Sequence, residues 1–280
     1  MASKKSKAIR YIDGQPAETS EALAEEEALQ ININGKAYTI TMRTPGQEKF
    51  LAVGLLFTER VIDHPEDVID IIETPAVAGN YTLIIDVEIR EEALVGKNLF
   101  NRSIASSASC GVCGKVDLCD LVTPERPQAN FRKLDVRRIP DLLQLMQAGQ
   151  SAFERTGGSH AASIFSIDGA LLSVQEDIGR HNAVDKVIGE LFLKKSLRNA
   201  AIMFVSGRVS YEIVSKCAVA SIPFLLAVSA PSSLAVDLCQ QQGITLIGFC
   251  RENRATVYTH EENILQHAAE PETASTNEKL

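Results

Sequence analysis

Two periodicities divide the chain. Leu29-Gln-Ile-Asn-Ile33 alternates apolar and polar positions, and so does Ala37-Tyr-Thr-Ile-Thr41. Asn34-Gly35 between them carries the type I′ turn signal, so the pair predicts a hairpin. After Pro45-Gly46, the residues Phe50, Val53, Gly54 and Phe57 recur at helical spacing, and Leu51, Leu55 and Leu56 widen the apolar face. A second helical turn is expected over Glu66–Ile72 and a strand over Tyr81–Ile89. These elements predict a small α+β domain over residues 28–99. The preceding residues 1–27, which end in Glu25-Glu26-Glu27, read as a tail.

From Gly157 the pattern changes to α/β. Ser163–Ile167 and Leu171–Val174 flank Asp168-Gly169, a hairpin signal. Helices are expected at Ile139–Arg155, Asp177–Leu193, Val209–Ala220 and Ser232–Gln242. Strands are expected at Ala200–Val205, Phe224–Val228, Ile244–Phe249 and Thr256–Tyr258. Strands alternating with helices imply crossover units and parallel pairs. Residues 136–265 therefore predict an α/β domain. Residues 100–135, rich in serine and glycine around Cys110 and Cys113, predict a mobile cysteine loop and linker. Residues 266–280 are polar and predict a disordered tail.

Composition narrows the class. Hydrophobic residues make up 45% of 280, enough for a packed core, and the net charge of −8 argues against a general nucleic-acid-binding surface. No apolar run approaches the roughly 18 residues of a membrane span. Met1–Arg10 has no apolar signal region. The expectation is a cytoplasmic protein without nucleic-acid or membrane partners, in which six cysteines do not form a disulfide framework. Cys217 and Cys239 fall in apolar-periodic segments and read as buried small hydrophobes.

Cys110-Gly-Val-Cys113-Gly is different. The glycines let the backbone present either sulfur to a partner, and Lys115 would favour the thiolate. Three readings stay open. Structural zinc needs four ligands, and even with Cys119 no second Cys-x-x-Cys exists to close the site. A thioredoxin-like pair sits between a strand and a helix, whereas here a serine run precedes it. The third reading is a nucleophilic sulfur carrier.

The C-terminal half offers an oxyanion site. Ser206-Gly207-Arg208 and Ser229-Ala-Pro-Ser-Ser each follow a strand and open a helix, where free N–H groups point outward. Plain N-caps are the alternative for Ser229 and Ser232. Phe249-Cys250-Arg251-Glu252-Asn253-Arg254 places two arginines at a turn. In Asp177–Lys186, His181 and Asp185 share a helix face. His181 reads either as an acid/base or ligand group or as a hydrogen-bonded structural residue, and His160 sits beside flexible glycines. No Gly-x-Ser-x-Gly elbow marks a hydrolase.

Six segments together resemble the FdhD family of formate dehydrogenase accessory sulfurtransferases. They are Cys110-Gly-Val-Cys113-Gly-Lys, Thr156-Gly-Gly-Ser-His160-Ala-Ala, Glu176–Lys186, Ser206-Gly-Arg-Val-Ser-Tyr-Glu-Ile-Val, Ser229-Ala-Pro-Ser-Ser-Leu-Ala-Val and Gly248–Arg254. They occur in the family's order across residues 29–260, and Gly-Arg-His-Asn-Ala-Val-Asp-Lys is the most specific. Ser159 departs from the valine expected there, and Cys119 is outside the motif and receives no role.

The resemblance implies a C-terminal α/β domain similar to the cytidine deaminases, without their His-x-Glu and Pro-Cys-x-x-Cys zinc signature. It implies a sulfur carrier that accepts persulfide sulfur from a cysteine desulfurase. The sulfur passes to the molybdenum cofactor, bis-(molybdopterin guanine dinucleotide), before insertion into formate dehydrogenase. Carried over, Cys110 is the persulfide carrier and Cys113 its partner thiol. Phe249, Cys250, Arg251, Glu252, Asn253 and Arg254 bind the cofactor, with Ser206, Gly207, Arg208 and Ser229 as further contacts. No metal site is expected, and GDP should mimic part of the cofactor. A chaperone that only holds the cofactor is the alternative. Oligomeric state is not legible here, a homodimer being one option.

Overall fold

The structure, a computed structural model, describes residues 3–75, 82–97 and 132–266. Cys110, Cys113 and Cys119, with most of the expected cysteine loop and the tail from 267, lie outside the described residues.

The expected tail over residues 1–27 is a hairpin for most of its length. β1 (Ser3–Ile12) pairs antiparallel with β2 (Gln15–Ala24) through an Asp13-Gly14 turn with both φ values positive. The hairpin escapes a periodicity reading because its strands are mostly polar, and it forms a separate two-stranded sheet.

β3 (Glu27–Ile33) and β4 (Lys36–Arg43) form the hairpin that Asn34-Gly35 announces, with φ of 49° and 76° at the turn. Helix α1 (Glu48–Thr58) follows, then β5 (Val68–Pro75), β6 (Thr82–Ile89) and the single turn α2 (Glu91–Leu94). The sheet order is β4-β3-β6-β5, with β3 and β6 parallel. Leu29, Ile31 and Ile33 of β3, Ile85 and Val87 of β6, and Leu51, Ala52 and Leu56 of α1 close this core. The helical turn expected over Glu66–Ile72 is instead a 3-10 turn at Pro65–Asp67 running into β5. A register shift between Val68 and Asp70 breaks the strand's alternation, and so its spacing imitates a helix.

The helix expected over Ile139–Arg155 is two: α3 (Ile139–Ala148) and α4 (Ser151–Thr156). At the break, a Cβ on Gly149 would lie 2.6 Å from a Val174 methyl. The chain continues as β7 (His160–Phe165), β8 (Leu171–Asp177), α5 (Arg180–Leu193), β9 (Ile202–Val205), α6 (Tyr211–Val219), β10 (Phe224–Ala227), α7 (Ser233–Gln242), β11 (Thr245–Gly248) and β12 (Thr256–Val257). Asp177 ends β8, three residues before α5 begins.

The six-stranded sheet runs β12-β11-β10-β9-β7-β8, with β9, β10 and β11 parallel and β7 antiparallel to both neighbours. Side chains alternate cleanly across it. Met203 and Val205 join α5, α6 and α7 on one face, while Ile202 and Phe204 join α3 on the other. Cys217 and Cys239 are buried in the first of these cores.

Helices α1 and α5 cross with no side chain between their backbones. A Cβ on Gly54 would fall 1.9 Å from the Asp185 carbonyl, and one on Gly189 would fall 1.9 Å from the Phe50 carbonyl. Beside the crossing, the rings of Phe57 and Phe192 lie 4.6 Å apart. Among the described residues no helix is long and apolar enough to cross a membrane.

Candidate functional site

Because β7 runs against both β8 and β9, it starts where they end. Ser206 N donates to the Ala161 carbonyl (3.0 Å), and Ser206 Oγ accepts from Ala161 N (2.9 Å). His160 pairs with Asp177, the last residue of β8. The carboxyl ends of β8, β9, β10 and β11 and the amino end of β7 therefore form one edge, the side on which open α/β sheets take ligands. This edge brings together Ser206, Gly207 and Arg208, Ser229, and the Phe249–Arg254 turn. It adds His160, Arg180 and His181, which the sequence reading left without a role.

The turn after β11 is tied to the end of β10. Phe249 N donates to the Ser229 carbonyl (3.2 Å) and Cys250 N to the Ala227 carbonyl (3.0 Å). Gly248 packs closely here, where a Cβ would lie 3.0 Å from the Tyr258 ring and 3.1 Å from Pro231. Phe249 follows with φ of 51°, a conformation that a bulky residue rarely adopts. Arg251 donates through Nη1 to the carbonyls of Val228 and Cys250, and its N–H meets the Arg254 carbonyl at 2.8 Å. Arg251, Glu252, Asn253 and Arg254 are exposed. Cys250 is not. Its sulfur donates to the Ile247 carbonyl within the core, and burial pushes its thiol up to about 11. Its backbone N–H and carbonyl are spent on Ala227 and Arg251, and its side chain packs inward.

Of the other expected contacts, Ser206 spends its hydroxyl holding β7 to β9, and Ser229 holds the turn through its carbonyl. Ser232 is a plain N-cap, its Oγ accepting from Ala235 N. Gly207 is buried against Arg180 and His160, and Arg208 is exposed.

Within Glu176–Lys186 most polar groups serve packing. Glu176 is fully buried and accepts from Ala152 N, Phe153 N and Ser159 Oγ at 2.7–2.8 Å. The departure Ser159 thus contributes a hydrogen bond. Asp177, also fully buried, pairs with Lys186 Nζ at 2.7 Å and accepts from Thr44 N, Gly179 N and Asn182 Nδ2. Lys186 donates further to the Thr44 carbonyl and Asn182 to the Met42 carbonyl. Asp185 takes Lys216 Nζ at 2.8 Å on both oxygens and Thr58 Oγ1 at 2.9 Å. Burial pushes its carboxyl pKa up, against the pull of Lys216 and Thr58. These groups join α5 to β4, α1 and α6. A buried charge persists only when it is paired and hydrogen-bonded in this way. The signal in the sequence is Asp185-Lys186 set between Val184 and Val187, charges at core positions. Asp177 lies only nine residues from Lys186, but Lys216 and Thr58 lie 31 and 127 residues from Asp185 and Thr44 lies 142 from Lys186, too far for any local pattern.

Arg180 and His181 face other neighbours. The Arg180 stem lies on Gly207. His181 Nε2 is 3.4 Å from Ser210 Oγ and 3.8 Å from a Glu212 carboxylate oxygen. Burial, then Lys216, Arg180 and His160, hold its imidazole down to about 3. It is neutral at ordinary pH, and the Glu212 contact is polar rather than ionic. His160 is lowered by burial and Arg180, with Asp177 opposing and Arg208 adding.

The structure is thus a mixed α/β protein whose larger sheet carries a cationic carboxyl edge. The FdhD/NarQ family model matches residues 24–265, and the chain belongs to that family. Among its relatives, a sulfur carrier protein FdhD of Streptomyces coelicolor is 40% identical, with 94% of this chain and 96% of that protein covered. One from Mycobacterium tuberculosis is 41% identical over 91% and 96%. One from Sulfolobus acidocaldarius is 38% identical over 93% and 98%. The fold matches the crystal structure of a putative formate dehydrogenase accessory protein from Desulfotalea psychrophila. The TM-score is 0.75 at 24% identity, covering 94% of this chain and 99% of that one.

Proposed function

We propose that this protein is a cytoplasmic sulfurtransferase. It accepts sulfur from a cysteine desulfurase as a persulfide on Cys110 and delivers it to bis-(molybdopterin guanine dinucleotide) before that cofactor enters formate dehydrogenase. The observation that carries this reading is the near full-length similarity, at 38–41% identity, to proteins called sulfur carrier protein FdhD.

In the first step the Cys110 thiolate attacks the terminal sulfur of the donor persulfide. The donor's sulfur–sulfur bond breaks and its cysteine leaves as a thiolate. In delivery the Cys113 thiolate attacks the Cys110 sulfur. A Cys110–Cys113 disulfide forms and the terminal sulfur departs as hydrosulfide to the acceptor, while a cellular thiol reductant resets the pair. Cys113 therefore supplies the two electrons that turn sulfane sulfur into sulfide.

The acceptor is assigned to the carboxyl edge, where Phe249–Arg254 with Ser206, Gly207, Arg208 and Ser229 would hold the guanine nucleotide part. Arg251 and Arg254 offer charge to phosphate in an otherwise acidic protein. The strand order β8-β7-β9-β10-β11 supports assigning the unit to the cytidine deaminase-like fold, used as a binding scaffold.

Formate dehydrogenase matured with Cys110→Ala tests the reading. The variant should bind GDP with wild-type affinity in calorimetry and yield inactive dehydrogenase. Fully active enzyme from Cys110→Ala, and from the double variant lacking Cys113, leaves only the cofactor chaperone.

A further inference from the structure

The β1–β2 hairpin is a long arm with little beneath it. Its base packs on α4, and Ala24 Cβ lies 3.4 Å from where a Cβ on Gly158 would stand. Its tip is free: Ile9, Tyr11 and Ile12 are 63%, 69% and 57% exposed. A two-stranded ribbon is marginal by itself in water and gains stability from a third strand or a packed face. Both of its strands keep an open edge, because the sheet holds only these two.

Charge is segregated between the open edges of this chain. β1 carries Lys4, Lys5, Lys7 and Arg10 and no acid. Arg10 pairs with Glu21, whereas Lys4, Lys5 and Lys7 are exposed and form no ion pair with any described residue. β5 is the outer strand of the order β4-β3-β6-β5 and carries Asp70 and Glu73 and no base. Ile69, Asp70, Ile72 and Thr74 of β5 are all exposed. Glu73 meets Lys49 at 3.5 Å, but Asp70 forms no ion pair with any described residue.

We propose that the arm docks on a second copy of this chain. β1 of each protomer adds as a further strand to the exposed β5 edge of its partner, and the exchange is reciprocal. Strand addition gives main-chain hydrogen bonds to both open edges, and the alternating side chains set the register. Lys7 and Ile9 share one face of β1, and Asp70 and Ile72 share one face of β5. A parallel register that sets Lys7 beside Asp70 therefore also sets Ile9 beside Ile72, covering two apolar side chains that the single chain leaves in water.

Charge selects this occupant over the other edges. β1 against β1 of another copy sets lysines against lysines. β4, the opposite edge of the small sheet, holds Lys36 and Arg43 and no acid. β2 carries Glu18 and Glu21, but β1 on β2 of the next copy is a head-to-tail contact that leaves an edge open at each step and propagates. β1 on β5 of the partner, repeated in the other direction, closes as a two-fold dimer. This pairing is independent of the carrier reading, and its test needs no sulfur transfer.

Sedimentation equilibrium of the full-length protein reads the assembly. The wild type should run at twice the 30.4 kDa chain mass, and added salt should weaken the dimer. Lys7→Glu and Asp70→Lys should each raise the dimer dissociation constant about tenfold or more, since each sets like charges together at two symmetric places. Lys7→Glu combined with Asp70→Lys should return it to within about threefold of wild type. Ile9→Asp should weaken the dimer by about tenfold or more through the lost apolar cover. All three positions are exposed, so the variants should fold normally. A monomeric wild type overturns the pairing, as does a dimer unchanged in Lys7→Glu and Ile9→Asp. A charge swap that restores nothing also overturns it, and so does growth beyond the dimer, which assigns β1 to β2 of the next copy.

Discussion

His181→Asn is the perturbation with the most definite consequence. The His181 side chain is 12% exposed, and its imidazole is held down to about 3 from an ordinary 6.5. The unfolded chain takes up this proton near pH 6.5, and the folded chain resists until about pH 3. Stability from this group is therefore full above pH 6.5 and lost as pH falls toward 3. At 1.36 kcal/mol per pH unit the whole drop is worth roughly 5 kcal/mol, of which about 2 kcal/mol falls between pH 7.5 and 5. Most carboxylates remain ionised in both states over that interval, so histidines dominate it. His160 is lowered too and acts in the same direction, but it remains in the variant. Urea unfolding of wild type and His181→Asn at pH 7.5 and pH 5 should show the wild type losing about 2 kcal/mol more than the variant. Equal losses in the two proteins would refute a buried, neutral His181.

Three further outcomes follow from the packing and the edge. Gly189→Ala drives a methyl group into the Phe50 carbonyl. It should cost about 3 kcal/mol, read as a fall of the thermal midpoint by roughly 6–12 °C in calorimetry. Asp177→Ala leaves Lys186 buried without its partner. Chemical unfolding should report a loss of about 3–5 kcal/mol, against almost none for exposed Arg208→Gln. Arg251→Ala and Arg254→Ala should each weaken GDP binding by about ten- to a hundredfold in calorimetry, the worth of one charge-assisted phosphate contact. Unchanged affinity in both would remove this turn from the site.

Much of the architecture is legible locally. Asn34-Gly35, the alternation of Leu29–Ile33 and the strand–helix rhythm after Gly157 suffice for the β3–β4 hairpin and the parallel core of the larger sheet. Dense Gly-Arg-His-Asn-Ala-Val-Asp-Lys text likewise marks charges at core positions, without naming their partners. Local pattern fails where long-range contacts decide. The polar β1–β2 hairpin has no apolar alternation, the bulge in β5 imitates a helix, and one helical pattern divides at Gly149, where a side chain would meet Val174. The site shows the same division. Which residue types are present, thiols on a glycine-rich segment and arginines at a turn, is a property of the sequence alone. Which of them share an edge is set by the direction of β7. Because it runs against β8 and β9, it returns His160 to the ends of those strands and places it over Gly207 beside Arg180. The same fold turns Cys250 into the core and makes Asp177, Asp185 and Lys186 a buried joint. A charge's role depends on whether water or a partner 140 residues away satisfies it, and only the tertiary structure decides which.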